Sequence, residues 1–243
     1  MKLNIFLILL FFYAENVLAS SLGNQNIKNF SEAKKIAVKI HQNHQITIYC
    51  PCKYSGKTID LKSCDYKVLK DPKRASRLEW EHVVPAEAFG NSFAEWRDGS
   101  AQCIKRNGKK FKGRKCAETN PEFNRIESDL YNLWPSIGEL NGLRSNFSMA
   151  QISGESQTFG DCKAKIQNHK FEPMDLDKGV VARVYMYMDS SYPGRGIIGE
   201  KNKKLFDTWD NLYPANDWEC DRAKIIEKIQ GNKNQVLNSR CKA

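Results

Sequence analysis

The sequence predicts an α+β fold, helical over most of its length and organised as a single domain. Several stretches place apolar residues at helical spacing between Pro and Gly stops. Only three short runs have the period of a strand, and no repeat or Gly/Ser/Pro linker divides the 243 residues. Short strands among longer helices make an α+β arrangement and argue against a wound parallel sheet.

The first segment, "MKLNIFLILLFFYAENVLASS", has one lysine, an apolar run from Ile5 to Tyr13, and small residues at Val17 and Ala19. That is the pattern of a secretory signal peptide over residues 1–19, leaving residues 20–243 as the working domain. The run is far shorter than the ~20 residues a membrane-spanning helix needs, and no later segment is long and apolar enough to span.

Next, "NFSEAKKIAVKIHQN" carries Ala33, Ile36, Ala37 and Ile40 on one helical face behind Ser31 as N-cap, with His41 and His44 expected at the surface. "QITIYCPCKY" alternates like a strand and runs into cysteines. In "LEWEHVVP" a strand puts Leu78, Trp80 and His82 on one face and Glu79, Glu81 and Val83 on the other, with Pro85 as its end. Residues 98–120, "DGSAQCIKRNGKKFKGRKCAETN", form a basic loop with a cysteine near each end. "SDLYNLWPS" is a second strand-like run stopped at Pro135, and "SIGELNGLRSNF" a short helix. "KGVVARVYMYMDSSYP", "KKLFDTWDNLYP" and "DWECDRAKIIEKIQGN" complete the chain as helices.

All eight cysteines, Cys50, Cys52, Cys64, Cys103, Cys116, Cys162, Cys220 and Cys241, follow the leader. An even count in an exported chain implies four disulfides, whose connectivity the sequence leaves open. Zinc would want CxxC pairs, and the only close pair here is CPC at residues 50–52. The net charge of +10 attracts polyanions, among which nucleic acid, anionic lipid and acidic polysaccharide are not separated by charge alone.

Chemistry concentrates at two places. Glu81 adjoins His82 at a strand end, and Glu139, Asn141 and Arg144 cluster in the helix that follows the second strand run. Ile137, Asn141 and Arg144 share a helical face, and an inward-facing asparagine needs a partner such as a cation or phosphate. With the lysines and arginine of the basic loop between them, the order reads as a phosphodiester hydrolysis site.

"RLEWEHVVPAEAFG", "ESDLYNLWPSIGELNGLRSNF" and "ANDWECDRAKIIEKIQGN" resemble, in order and approximate spacing, the endonuclease I family of secreted and periplasmic bacterial nucleases. The resemblance implies a mainly helical, disulfide-stapled domain around a ββα-metal (His-Me finger) core that cuts DNA, and often RNA, with little sequence preference. Carried over by residue, His82 is the general base, and Glu81 and Asn141 are the protein ligands of one divalent cation. Arg114 touches the scissile phosphate, with Lys112 or Lys115 able to take that role, and Asn132 is structural support. Arg144, Lys112 and Lys115 are further expected substrate contacts. A cation held by so few protein oxygens keeps several waters, which favours Mg²⁺, with Ca²⁺ and Mn²⁺ as alternatives. Expected products carry 5′-phosphate and 3′-hydroxyl ends. The expected setting is the periplasm or outside the cell, and the expected state a monomer with no membrane partner.

Two rivals use the same composition. An exported basic protein that captures DNA without cutting it explains charge and cysteines and leaves Glu81, His82 and Asn141 unexplained. A Ser-His acyl hydrolase lacks a GxSxG turn.

Overall fold

The computed structural model describes residues 23–241, so the leader expected at residues 1–19 lies outside the described residues. A short strap, residues 24–26, opens the described chain: the backbone N–H of Asn24 donates to the Tyr192 hydroxyl (2.8 Å). Gln25 N–H reaches the Gln230 carbonyl (3.3 Å) and the Asn26 side chain the Ile229 carbonyl (3.1 Å).

Helix α1 (Phe30–Ile40) follows, capped by Asn29 and not by Ser31: the Asn29 side chain accepts from Glu32 N–H at 3.0 Å. Ala33, Ala37 and Ile40 form its buried face. His41 continues that stripe as the eighth residue after Ala33, which is why it is buried (1% exposed) where the surface was expected. Its ring meets the edges of Trp80, Trp134 and Trp218, and Arg222 Nε donates to its Nε2 at 3.2 Å. His44 stacks on Trp218.

The strand expected in "QITIYCPCKY" does not form. Ile48 N–H donates to the Pro135 carbonyl and Tyr49 N–H to Asp177, and Tyr49 turns to φ +72°, so the segment leaves any ladder. What remains is the hairpin β1 (Lys53–Ser55) and β2 (Thr58–Asp60). β3 (Leu78–His82) and β4 (Leu133–Ile137) then pair antiparallel from Leu78↔Ile137 to His82↔Leu133 with no register shift. Between them lies helix α2 (Pro121–Glu127), capped by Asn120. Pro135 sits inside β4 and does not end it, because a two-stranded ribbon leaves one edge of each strand without a ladder and a missing N–H costs nothing there. Helix α3 (Gly138–Arg144) starts at once, its first N–H on the Arg77 carbonyl (2.9 Å), and completes the ββα unit.

A second sheet of four short strands, β5 (Ser148–Met149), β6 (Gln157–Phe159), β7 (Cys162–Gln167) and β8 (Lys170–Glu172), runs in the order β5-β8-β7-β6. The β5–β8 pair is parallel and the others antiparallel. Helices α4 (Asp175–Ser191), α5 (Glu200–Leu212) and α6 (Asp217–Gln230) match the three expected at the end of the chain. α4 buries Val181, Tyr187 and Met188 in the core and carries Arg183 into a buried ionic group with Asp210 and Glu219.

The cysteines pair as Cys50–Cys162, Cys52–Cys64, Cys103–Cys116 and Cys220–Cys241, so the neighbours of the CPC motif go to different partners. None is free to hold zinc. The first bridge closes a separation of 112 residues, worth about 5 kcal/mol in the chain-entropy model.

Candidate active site

The ββα unit forms the floor of an open cleft of about 1040 Å³. α1 lines it with Phe30, Lys34 and Lys35; Arg74, Arg77, Asn141, Trp96 and Arg114 line it as well. Every residue from Leu78 to His82 reaches the cleft. Strict alternation would send Glu81 and His82 to opposite faces, and no bulge intervenes. β3 has a ladder partner on one side only, so side chains from both faces of the twisted ribbon meet the cleft along its other edge.

His82 Nε2 lies 2.8 Å from the Glu127 carbonyl oxygen. A carbonyl only accepts, so Nε2 carries the proton and Nδ1 keeps its lone pair. The ring packs against Phe30 at 4.8 Å between centroids. Burial, then the Arg114 guanidinium, hold the imidazole down to about 3, against an ordinary value near 6.5, so it stays neutral throughout the physiological range.

Glu81 is buried, and burial pushes its carboxyl up to about 7 against the pull of Arg144 and a Tyr49 hydrogen bond. Its Oε1 receives both of these, Tyr49 Oη at 3.1 Å and Arg144 Nη1 at 3.0 Å. Oε2 has no partner among the described residues. The same division holds in Asn141, whose Nδ2 donates to Glu79 Oε2 at 3.0 Å. A carboxylate only accepts, so the amide NH₂ faces Glu79 and the carbonyl oxygen is left over. Glu79 is itself fixed by Arg74 (2.9 Å) and Arg77. One carboxylate oxygen and one carboxamide oxygen, each freed by a clamp on its sister atom, are a hard donor set for a small hydrated divalent cation.

The expected phosphate contacts separate in space. Arg114 lines the cleft, pairs with the buried Glu127 carboxylate, and lies over the Phe30 ring at 5.2 Å. Arg144 is 1% exposed and braces the floor: its guanidinium donates to the His82 carbonyl (3.0 Å), the Val83 carbonyl (2.6 Å) and Glu81. A side chain so engaged holds the strand end in place and has little left for a substrate. Lys112 is exposed beyond the cleft lining, as is Lys115, which pairs with Glu118 at 2.8 Å. Glu139 turns away to collect the N–H groups of Leu69, Lys70 and Asp71. Asn132 ties the two strand ends together, accepting from Val84 N–H (2.7 Å) and donating to the Val84 carbonyl (2.9 Å).

Sequence reasoning missed Tyr49, Glu79 as a clamp, Phe30, and Glu127, which holds His82 by its backbone and Arg114 by its side chain.

Known proteins share this chain's pattern along nearly its whole length. The model of the family described as Endonuclease I matches residues 14–240. The chain is 39% identical to "Endonuclease-1" of Buchnera aphidicola subsp. Acyrthosiphon pisum (strain APS), over 95% of this chain and 88% of that protein. It is 40% identical to an "Extracellular deoxyribonuclease" of Aeromonas hydrophila, covering 89% and 90% of the two chains. A "Periplasmic deoxyribonuclease" of the same organism is 37% identical, covering 93% and 92%.

Proposed function

The chain belongs to the endonuclease I family, and we propose that it hydrolyses DNA, and RNA as well, without sequence preference, to 5′-phosphate and 3′-hydroxyl ends. It is a nuclease of the periplasm or the exterior: related proteins carry the names periplasmic and extracellular deoxyribonuclease, and four closed disulfides suit an oxidising compartment. Among the described residues no helix is long and apolar enough to cross a membrane. We take residues 1–19 as the export leader, residues 20–243 as the nuclease domain, and the working form as a monomer.

The carrying observation is the bond from His82 Nε2 to the Glu127 carbonyl, which leaves Nδ1 unprotonated at the edge of a cationic cleft. In this reading Nδ1 takes a proton from the water that attacks phosphorus. The P–O3′ bond breaks, and the departing oxygen is protonated from solvent. Arg114 offers a planar, permanently charged fork to the phosphoryl oxygens. Lys34 and Lys35 on one rim, with Lys57, set further phosphates along the cleft without reading bases. Glu81 Oε2 and Asn141 Oδ1 hold one divalent cation, Mg²⁺ in first place with Mn²⁺ and Ca²⁺ as alternatives. Lewis-acid neutralisation of phosphoryl charge is the chemistry a bound cation supplies. Arg144, Tyr49 and Glu79 keep the two oxygens aimed.

A plasmid-nicking assay with and without EDTA, beside His82→Ala, tests this. Nicking is expected to stop in EDTA and to fall ~10²- to 10⁴-fold in the variant, with DNA binding retained. Nicking by His82→Ala at the unsubstituted rate would remove the histidine from the chemistry. Retardation of plasmid with no nicking by the unsubstituted protein would instead identify a capture protein.

A further inference from the structure

Outside the cleft, one concentrated cationic feature is the segment closed by Cys103–Cys116. It is a small hairpin: Ile104 bridges Lys110, Lys105 N–H donates to the Lys109 carbonyl (2.9 Å), and Phe111 N–H to the Cys103 carbonyl (2.9 Å). Gly108, at φ +76°, makes the turn that Gly108 N–H closes on the Lys105 carbonyl. Both cysteines are fully buried, so the base is fixed while the tip stands in solvent. Residues 99–117 carry seven cations and no carboxylate.

Lys105, Arg106, Lys109, Lys110 and Lys112 are exposed, and none forms an ion pair with another described residue. Some surface cations elsewhere are interleaved with acids, as Lys224 is with Asp221 and Lys233 with Glu227. Five unpaired charges equal half of the net +10 of the whole chain. The hairpin is rooted at the cleft: Gly113 N–H donates to the Trp96 carbonyl (2.9 Å), and the next residue is Arg114.

We propose that residues 103–116 form a finger that grips the phosphate backbone of a nucleic-acid duplex beyond the stretch held in the cleft. This rests on the nuclease reading and adds a second anchoring point to it. Local concentration of unneutralised charge marks the finger for a polyanion, and a duplex presents one charge per ~1.7 Å of axis. From Cys103 to the Asn107 tip, four residues at ~3.3 Å reach about 13 Å, the rise of about four base pairs. The disulfide orders the finger before binding, so little conformational entropy is forfeited when it meets the duplex. Its lysines meet phosphates, which fixes register along the duplex without adding sequence preference.

Fluorescence anisotropy in a His82→Ala background, in EDTA, measures the finger apart from cutting. The probes are a duplex of about two helical turns and a hairpin-closed duplex of about half a turn. Replacing Lys105, Arg106, Lys109 and Lys110 with Ala is expected to weaken binding of the long duplex at least tenfold at low salt. The slope of log affinity against log salt should become shallower by about 3.6, at roughly 0.9 for each of the four phosphates no longer neutralised. The short duplex should bind both proteins alike. Arg106→Lys, which keeps the charge, should bind like the parent. The proposal is overturned if the long duplex binds the four-fold variant with the parent's affinity and slope while thiol titration shows the Cys103–Cys116 bridge closed. Equal weakening on both duplexes overturns it too, because it puts these cations at the cleft. Plasmid nicking by the unsubstituted protein is scored separately, so an idle finger on a working nuclease is distinguished from a protein that does not cut.

Discussion

Tyr49 carries a large side chain at φ +72°, a conformation that costs a non-glycine residue about 1–3 kcal/mol and persists only where its surroundings impose it. Asp177 holds its N–H, Cys50 anchors the next position, and its hydroxyl meets Glu81 Oε1. Tyr49→Phe keeps the ring and removes that donor. The metal concentration for half-maximal nicking, and the metal dissociation constant by calorimetry without DNA, are expected to rise about 10- to 100-fold. Unchanged values would reduce Tyr49 to packing. His82, Glu81 and Asn141 were legible because each stands inside a distinctive local motif. Their supports were not: Tyr49 lies 32 residues from Glu81, Glu127 45 from His82, and Glu79 62 from Asn141. Nothing local marks a tyrosine in an alternating run as a donor to a distant carboxylate. Arg144 shows the converse limit, since helical spacing placed it beside the cleft but gave no sign that backbone carbonyls engage it.

At the level of elements, the turn from β4 into α3 sets where Asn141 stands. A Cβ on Gly138 would lie 2.5 Å from the Arg74 carbonyl oxygen and 2.8 Å from that of Arg77, both backbone atoms. Gly138→Ala is expected to cost about 1–3 kcal/mol of stability, as overpacking does, and to raise the metal requirement as α3 is pushed away. Chemical denaturation and the metal titration check the two effects, and a variant with the parent's midpoint would show that the turn is slack. Helices α4, α5 and α6 were visible in the sequence because Pro and Gly bound them and their apolar residues keep one period. α6 ends at Gly231 in the left-handed region, a cap that composition alone suggests. The sheet of β5–β8 was not anticipated: its strands are two to six residues long, and only Cys162–Gln167 alternates cleanly. Residues 45–52 depart the other way, as long-range bonds to Pro135 and Asp177 outweigh a strand-like pattern there.

Across the whole molecule, acid stability depends on histidines buried without charge. Burial, then the nearby Arg222 charge, hold His41 well below its ordinary value, and burial with Arg114 holds His82 at about 3. Both remain neutral when folded and titrate near 6.5 when unfolded. The unfolded chain therefore binds the extra protons below about pH 6.5, and stability is lost as pH falls from there toward 3. Each histidine contributes up to about 1.4 kcal/mol per pH unit. Glu81 and Asp177, pushed up to about 7 by burial, titrate in the opposite sense and offset this loss between about pH 4 and 7. Melting temperature should therefore decline most steeply below about pH 4, where both carboxyls are protonated in either state. His41→Gln, whose amide oxygen can still accept from Arg222, should flatten part of that decline. An equal decline in the variant would assign it to other groups.

The strap of residues 24–26 ties itself to Ile229 and Gln230 at the far end of α6, and Gln230 also receives Leu130 N–H (2.7 Å) just ahead of β4. Both sides of the cleft thus wait on a segment that is synthesised near the finish. A polypeptide fed out in order from its first residue therefore closes this joint only when α6 emerges.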